Sequence, residues 1–172
     1  MVLGLSLAAF TTLHVTISFV ALALGAGVLA GMLRGTDHGA MTAGFLATTI
    51  LTSGTGFLFP ATTVLPSHIV GILSLAVLVI AVAGYYAWNL TGASRRIYAV
   101  AALVAFYLNA FVAVVQAFLK IEALHALAPI GTEPPFIAAQ TVLLAAFIAT
   151  GFFAVKRFRP ASEGMYHAPA AD

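Results

Sequence analysis

The chain has 172 residues, 62% hydrophobic and only 7% charged, with a formal net charge of +2 and no cysteine. A water-soluble domain of this size cannot cover its surface with so few charges. The composition excludes disulfides, thiolate metal sites, c-type haem attachment and palmitoylation, and it carries no basic patch for nucleic acid.

A bilayer core is crossed by about 20 apolar residues in helical form. Five stretches meet that need: 3–33, 41–59, 69–90, 97–119 and 136–155, and none holds an acidic residue. The first has no positive n-region and is too long for a signal-peptide core, so it reads as a helix of the mature chain. Its Gly27-x-x-x-Gly31 permits close helix approach. The second is the least apolar, with Thr42, Thr48, Thr49, Thr52, Ser53 and Thr55. Hydroxyls that bond back to their own helix carbonyls would let lipid accept it. In the third, Tyr85, Tyr86 and Trp88 join Tyr98 of the fourth as an expected aromatic belt. Thr132, Glu133, Pro134 and Pro135 form a start signal for the fifth.

Orientation follows from Lys and Arg. Over five crossings, Arg34, Arg95, Arg96, Lys156, Arg157 and Arg159 fall on one side and Lys120 alone on the other. A re-entrant 41–59 gives a poorer five-to-two split. The expected fold is therefore all-α: an integral membrane bundle of five transmembrane helices over residues 1–159, amino terminus outside and carboxyl terminus cytoplasmic. Residues 160–172 read as a disordered cytoplasmic tail. No internal repeat or inverted half of the transporter kind is visible.

Polar residues within the spans are the functional candidates. At about 1.5 Å per residue from the basic markers, His14 and Gln116 lie about 30 Å up, Gln140 about 24 Å and Asn109 about 20 Å. His68 and Lys120 lie slightly higher. Tyr98, Asn109, Gln116 and Lys120 form one stripe on the fourth helix, at spacings of 11, 7 and 4. Thr11, His14, Ser18 and Gly25 share a face of the first, and His68, Gly71 and Ser74 a face of the third. Turned inward, these stripes would make a polar pocket open to the periplasmic side. The same residues also serve plain packing, since cross-helix amide and hydroxyl bonds contribute about 0.6 kcal/mol each to holding a bundle together.

The chemistry of the set leaves three readings open. His14, Ser18, His68, Asn109, Gln116, Lys120 and Gln140 would line a ligand or cofactor site in a non-enzymatic protein, or in an accessory subunit of a larger membrane complex. Alternatively, His14 and His68 would serve a redox protein holding quinone or haem, or copper or zinc with His125 as third ligand. No HxxxH spacing supports the metal. The third reading is a small transporter or channel along the fourth helix. With no carboxylate in any span, a proton pump is disfavoured. His38 and His167 read as polar loop residues. Beyond the lipid bilayer, the expected partners are such a complex or a homo-oligomer, with no nucleic acid.

The segments LTSGTGFLFP (51–60), LPSHIVGI (65–72), LNAFVAVVQAFLK (108–120) and EPPF (133–136) resemble small multi-span inner-membrane proteins of proteobacteria. The resemblance covers most of the chain and implies a bacterial cytoplasmic membrane. It brings no activity, cofactor or catalytic residue. The resembling segments contain His68, Asn109, Gln116 and Lys120.

Overall fold

The computed structural model describes residues 1–63 and 65–159. The expected tail at 160–172, with His167, lies outside the described residues. Six α-helices follow in order: α1 (Leu7–Arg34), α2 (Gly39–Gly56), α3 (Pro66–Val82), α4 (Ala93–Lys120), α5 (Glu122–Leu127) and α6 (Pro134–Arg157). A π-helical turn, Ala83–Ala87, prolongs α3. Four helices are long and apolar enough to cross a membrane: α1, α3 with its π-turn, α4 and α6. The protein is thus built as a multi-pass helical membrane protein.

The 18-residue α2 is not among those four, because its hydroxyls dilute its apolar character. It nevertheless runs the height of the bundle, from Asp37, bonded to Tyr85 at the end of α3, to Phe59, packed on Phe10 of α1. Its hydroxyls do turn back on the helix: Thr48 to Gly44 O, Thr49 to Phe45 O and Thr55 to Leu51 O, each at 2.7 Å.

Ends differ from the sequence expectation for local reasons. The first helix starts at Leu7, where the Ser6 Oγ accepts from the Ala9 N–H at 3.2 Å as an N-cap. It stops at Gly35, whose φ of +78° allows a left-handed cap. There the Thr36 N–H reaches Gly31 O and the Gly35 N–H reaches Met32 O, a Schellman pair. The third span ends at Ala87 rather than at residue 90, because Asn89 and Leu90 take positive φ and turn the chain into α4. The short α5 was not anticipated, since six residues carry too little periodicity to register.

The core is organised by α4. It touches α1, α2, α3 and α6, and 44% of its apolar window is buried, against 6% for α6. Phe106 sits at the centre, edge-on to Phe45 at 6.2 Å and to Phe147 at 4.9 Å. It fits only because Gly25 faces it. A Cβ added at Gly25 would fall 2.5 Å from the Phe106 ring. Gly27 and Gly31, by contrast, face Met41 and the Thr36–His38 loop of the same chain. They serve internal packing of α1 on α2.

The opposite end is closed by Glu133. Its two carboxylate oxygens accept the Ile130 and Thr132 N–H groups at 2.9 Å, just before Pro134 opens α6. The Ile130 bond leads the causes that hold this carboxyl below its ordinary value. A lowered folded pKa means stability present above the ordinary carboxylate range and lost as pH falls through the lowered value.

Two outcomes follow. Gly25→Leu lowers stability by about 1–3 kcal/mol through overpacking against Phe106, read by thermal unfolding in detergent; an unchanged midpoint contradicts the close approach. Glu133→Gln weakens the α6 start at neutral pH and removes the part of the acid sensitivity that Glu133 supplies, read by amide exchange at residues 130–137 across pH.

Candidate functional site

The sequence candidates occupy three settings. At the end away from the basic residues, α1, the last turn of α2 and the start of α3 meet around residues 55–59. His14 lies on one flank, with Nδ1 2.7 Å from Thr55 Oγ1 and its ring edge-on to Phe59 at 5.1 Å. His68 lies on the other flank, stacked on Phe57 at 5.6 Å. Ser18 is committed to its own helix, donating to His14 O at 2.8 Å.

The heavy-atom distances assign a tautomer to each imidazole. The Thr55 hydroxyl donates to Leu51 O at 2.7 Å, so its proton is not available to His14. With Thr55 donating to Leu51 O, the contact is assigned as His14 Nδ1–H donating to Thr55 Oγ1, which leaves Nε2 with a free lone pair. Among the described residues no hydrogen bond engages that nitrogen. His68 takes the other tautomer. Its Nδ1 accepts the Leu65 N–H at 3.3 Å, which places the proton on Nε2. One end of the bundle thus carries an acceptor imidazole and a donor imidazole, with Phe10, Phe57 and Phe59 around them.

The second setting is the α4–α6 seam. Gln140 donates from Nε2 to Phe111 O at 3.2 Å, while its Oε1 is buried without a partner among the described residues. Asn109 Nδ2 and Thr52 Oγ1 are buried and unpartnered in the same sense. Below Gln140 the two helices part into an apolar groove of about 200 Å³, lined by Leu103, Val104, Tyr107, Leu144, Phe147 and Ile148 among others. Gln116 and Lys120 make the third setting: both are exposed. The stripe on α4 is inward at Tyr98 and Asn109 but outward beyond. At 28 residues, or about 42 Å, α4 outruns the 18-residue α2.

His125 is exposed on α5, and among the described residues no three His, Asp or Glu side chains group as a metal site would. The structure brings His14 and His68 to one turn of chain and leaves His125, Gln116 and Lys120 outside that contact.

Sequence reasoning missed a cluster at the basic end. Asp37 accepts from Thr42 Oγ1 at 2.9 Å and from the Tyr85 hydroxyl at 2.5 Å. Tyr98, expected in an interfacial belt, is fully buried beside them; only Tyr86 and Trp88 are exposed as a belt requires. The available signal was Asp37 itself, the one carboxylate between the first two apolar stretches.

Thr55→Val removes the acceptor that orients His14. The expected results are a mixed tautomer in the imidazole ¹⁵N spectrum and a stability loss of about 0.6 kcal/mol; an unchanged spectrum refutes the assignment. No protein-family model, curated protein or solved structure matches this sequence.

Proposed function

We propose that the chain is a five-span protein of a bacterial inner membrane that binds a small, membrane-soluble ligand at its outer end, without catalysing a reaction itself. The observation that carries this reading is the oriented imidazole of His14. Here Nδ1 is fixed by Thr55, and Nε2 is left as an acceptor beside phenylalanine rings. Such a group receives a hydroxyl or N–H from a ligand whose body is apolar. His68, with its proton on Nε2, offers the complementary donor on the other flank of the same turn.

The five-span topology rests on two supports. First, α2 runs between the same two ends as α1 and α3, and its 18 residues reach about 27 Å, close to a bilayer core. Second, Arg34, Arg95, Arg96, Lys156 and Arg157 gather at the end where α1 and α6 finish and α4 begins. That end is cytoplasmic by the positive-inside rule, which puts His14 in the outer half.

A second reading, a redox protein holding haem or a metal ion, draws on the same nitrogen. An imidazole whose Nδ1–H is held by an oxygen presents Nε2 as metal-binding histidines do. The two readings separate by mass. Native mass spectrometry of protein extracted gently from its own membrane is expected to show an added small organic mass that disappears in His14→Ala. An added metal or haem mass lost in the same variant moves the assignment to the redox reading. A bare chain in both proteins defeats each of them.

A further inference from the structure

The cluster at the basic end contains a feature unconnected with His14. A cavity of about 10 Å³ lies among Gly31, Thr36, Asp37, His38, Thr42 and Tyr98. Tyr98 is 0% exposed, and its hydroxyl makes no well-aligned hydrogen bond among the described residues, although the Thr42 hydroxyl, itself donating to Asp37, lies beside it. Burying a hydroxyl without a partner costs stability, so what meets this one decides much about that end.

We propose that the cavity is a binding site for one resident water molecule, which accepts from the Tyr98 hydroxyl and donates to Asp37. Size and chemistry both select water. About 10–15 Å³ is the room one water needs, together with two to four polar partners. Asp37 already accepts from Thr42 and Tyr85, one on each oxygen, yet a carboxylate has about four acceptor positions. The cluster therefore has spare acceptors on Asp37 and a donor on Tyr98 that no well-aligned acceptor receives. A water satisfies both at once. A bare cation would engage the oxygens but give the Tyr98 proton no acceptor, and an anion would face the carboxylate.

The water ties together four elements: the α1–α2 loop through Asp37, α2 through Thr42, the π-turn through Tyr85 and α4 through Tyr98. The π-turn matters here. Its wider winding, a frequent mark of functional positions, carries Tyr85 to Asp37 while Gly84 lets the chain lie against Tyr98, where an added Cβ would come within 3.0 Å.

Tyr98→Phe provides a test by sign, read as thermal unfolding in lipid nanodiscs. A water-bridged hydroxyl contributes as an ordinary hydrogen bond, so its removal lowers the midpoint by about 2–4 °C. An orphaned hydroxyl in a dry cavity costs stability, so an unchanged or raised midpoint overturns the proposal. The unaltered protein supplies the second measurement: a structure at a resolution that shows waters. A single density peak within about 2.5–3.0 Å of Tyr98 Oη and an Asp37 oxygen supports the site. An empty cavity, a direct Tyr98–Thr42 bond, or a peak ringed by oxygens in cation geometry refutes it.

Discussion

In a hydrocarbon surround a polar group has only its own chain to bond to, and the architecture depends on how each one is satisfied. Most hydroxyls take the shortest route. Thr11, Thr16, Ser18, Thr48, Thr49, Thr55, Thr141 and Thr150 each donate to the carbonyl four residues earlier. That local solution leaves the side chains small and outwardly apolar. It makes α2, the most hydroxyl-rich helix, fit to run between α1 and α3. Among the described residues, polar atoms on Thr52, Tyr98, Asn109 and Gln140 are buried without a partner, which carries a free-energy cost, while Gln116 is exposed.

Packing follows from the same economy of polar groups. With little hydrophobic driving force between helices in lipid, close approach and shape must hold the bundle. The Gly25 notch beneath Phe106 and the aromatic contacts from Phe45 to Phe147 provide it at mid-height. At the basic end the Asp37 network takes over, joined by the Arg95 side chain donating to Phe158 O. At the other end His14 packs edge-on to Phe59 and His68 stacks on Phe57, on either side of a single turn of chain.

Much of the fold was legible in the sequence because hydrophobic length and helical period are local properties. Pro134 at the start of α6, the back-bonding threonines and the inward face of His68, Gly71 and Ser74 all followed from spacing alone; Ser74 indeed meets Ser53 at 3.0 Å. Helix ends were less legible. Whether residue 90 continues a helix depends on backbone angles at Asn89 and Leu90, which apolar side chains do not announce.

The sequence by itself determined that the chain is helical, that its apolar stretches are long enough for a membrane, and that basic residues gather at one end. Those facts rest on composition and on neighbours three or four residues apart. Only the tertiary structure decided which way each polar side chain is engaged. The tautomer of His14 depends on Thr55, 41 positions away, whose own proton is taken by Leu51. The burial of Tyr98 and its place beside Asp37 depend on α3 and α4 closing over the α1–α2 loop. A one-dimensional pattern reports the face on which a residue lies, but a hydrogen bond has a direction and a partner, and both are set by elements far apart in the chain.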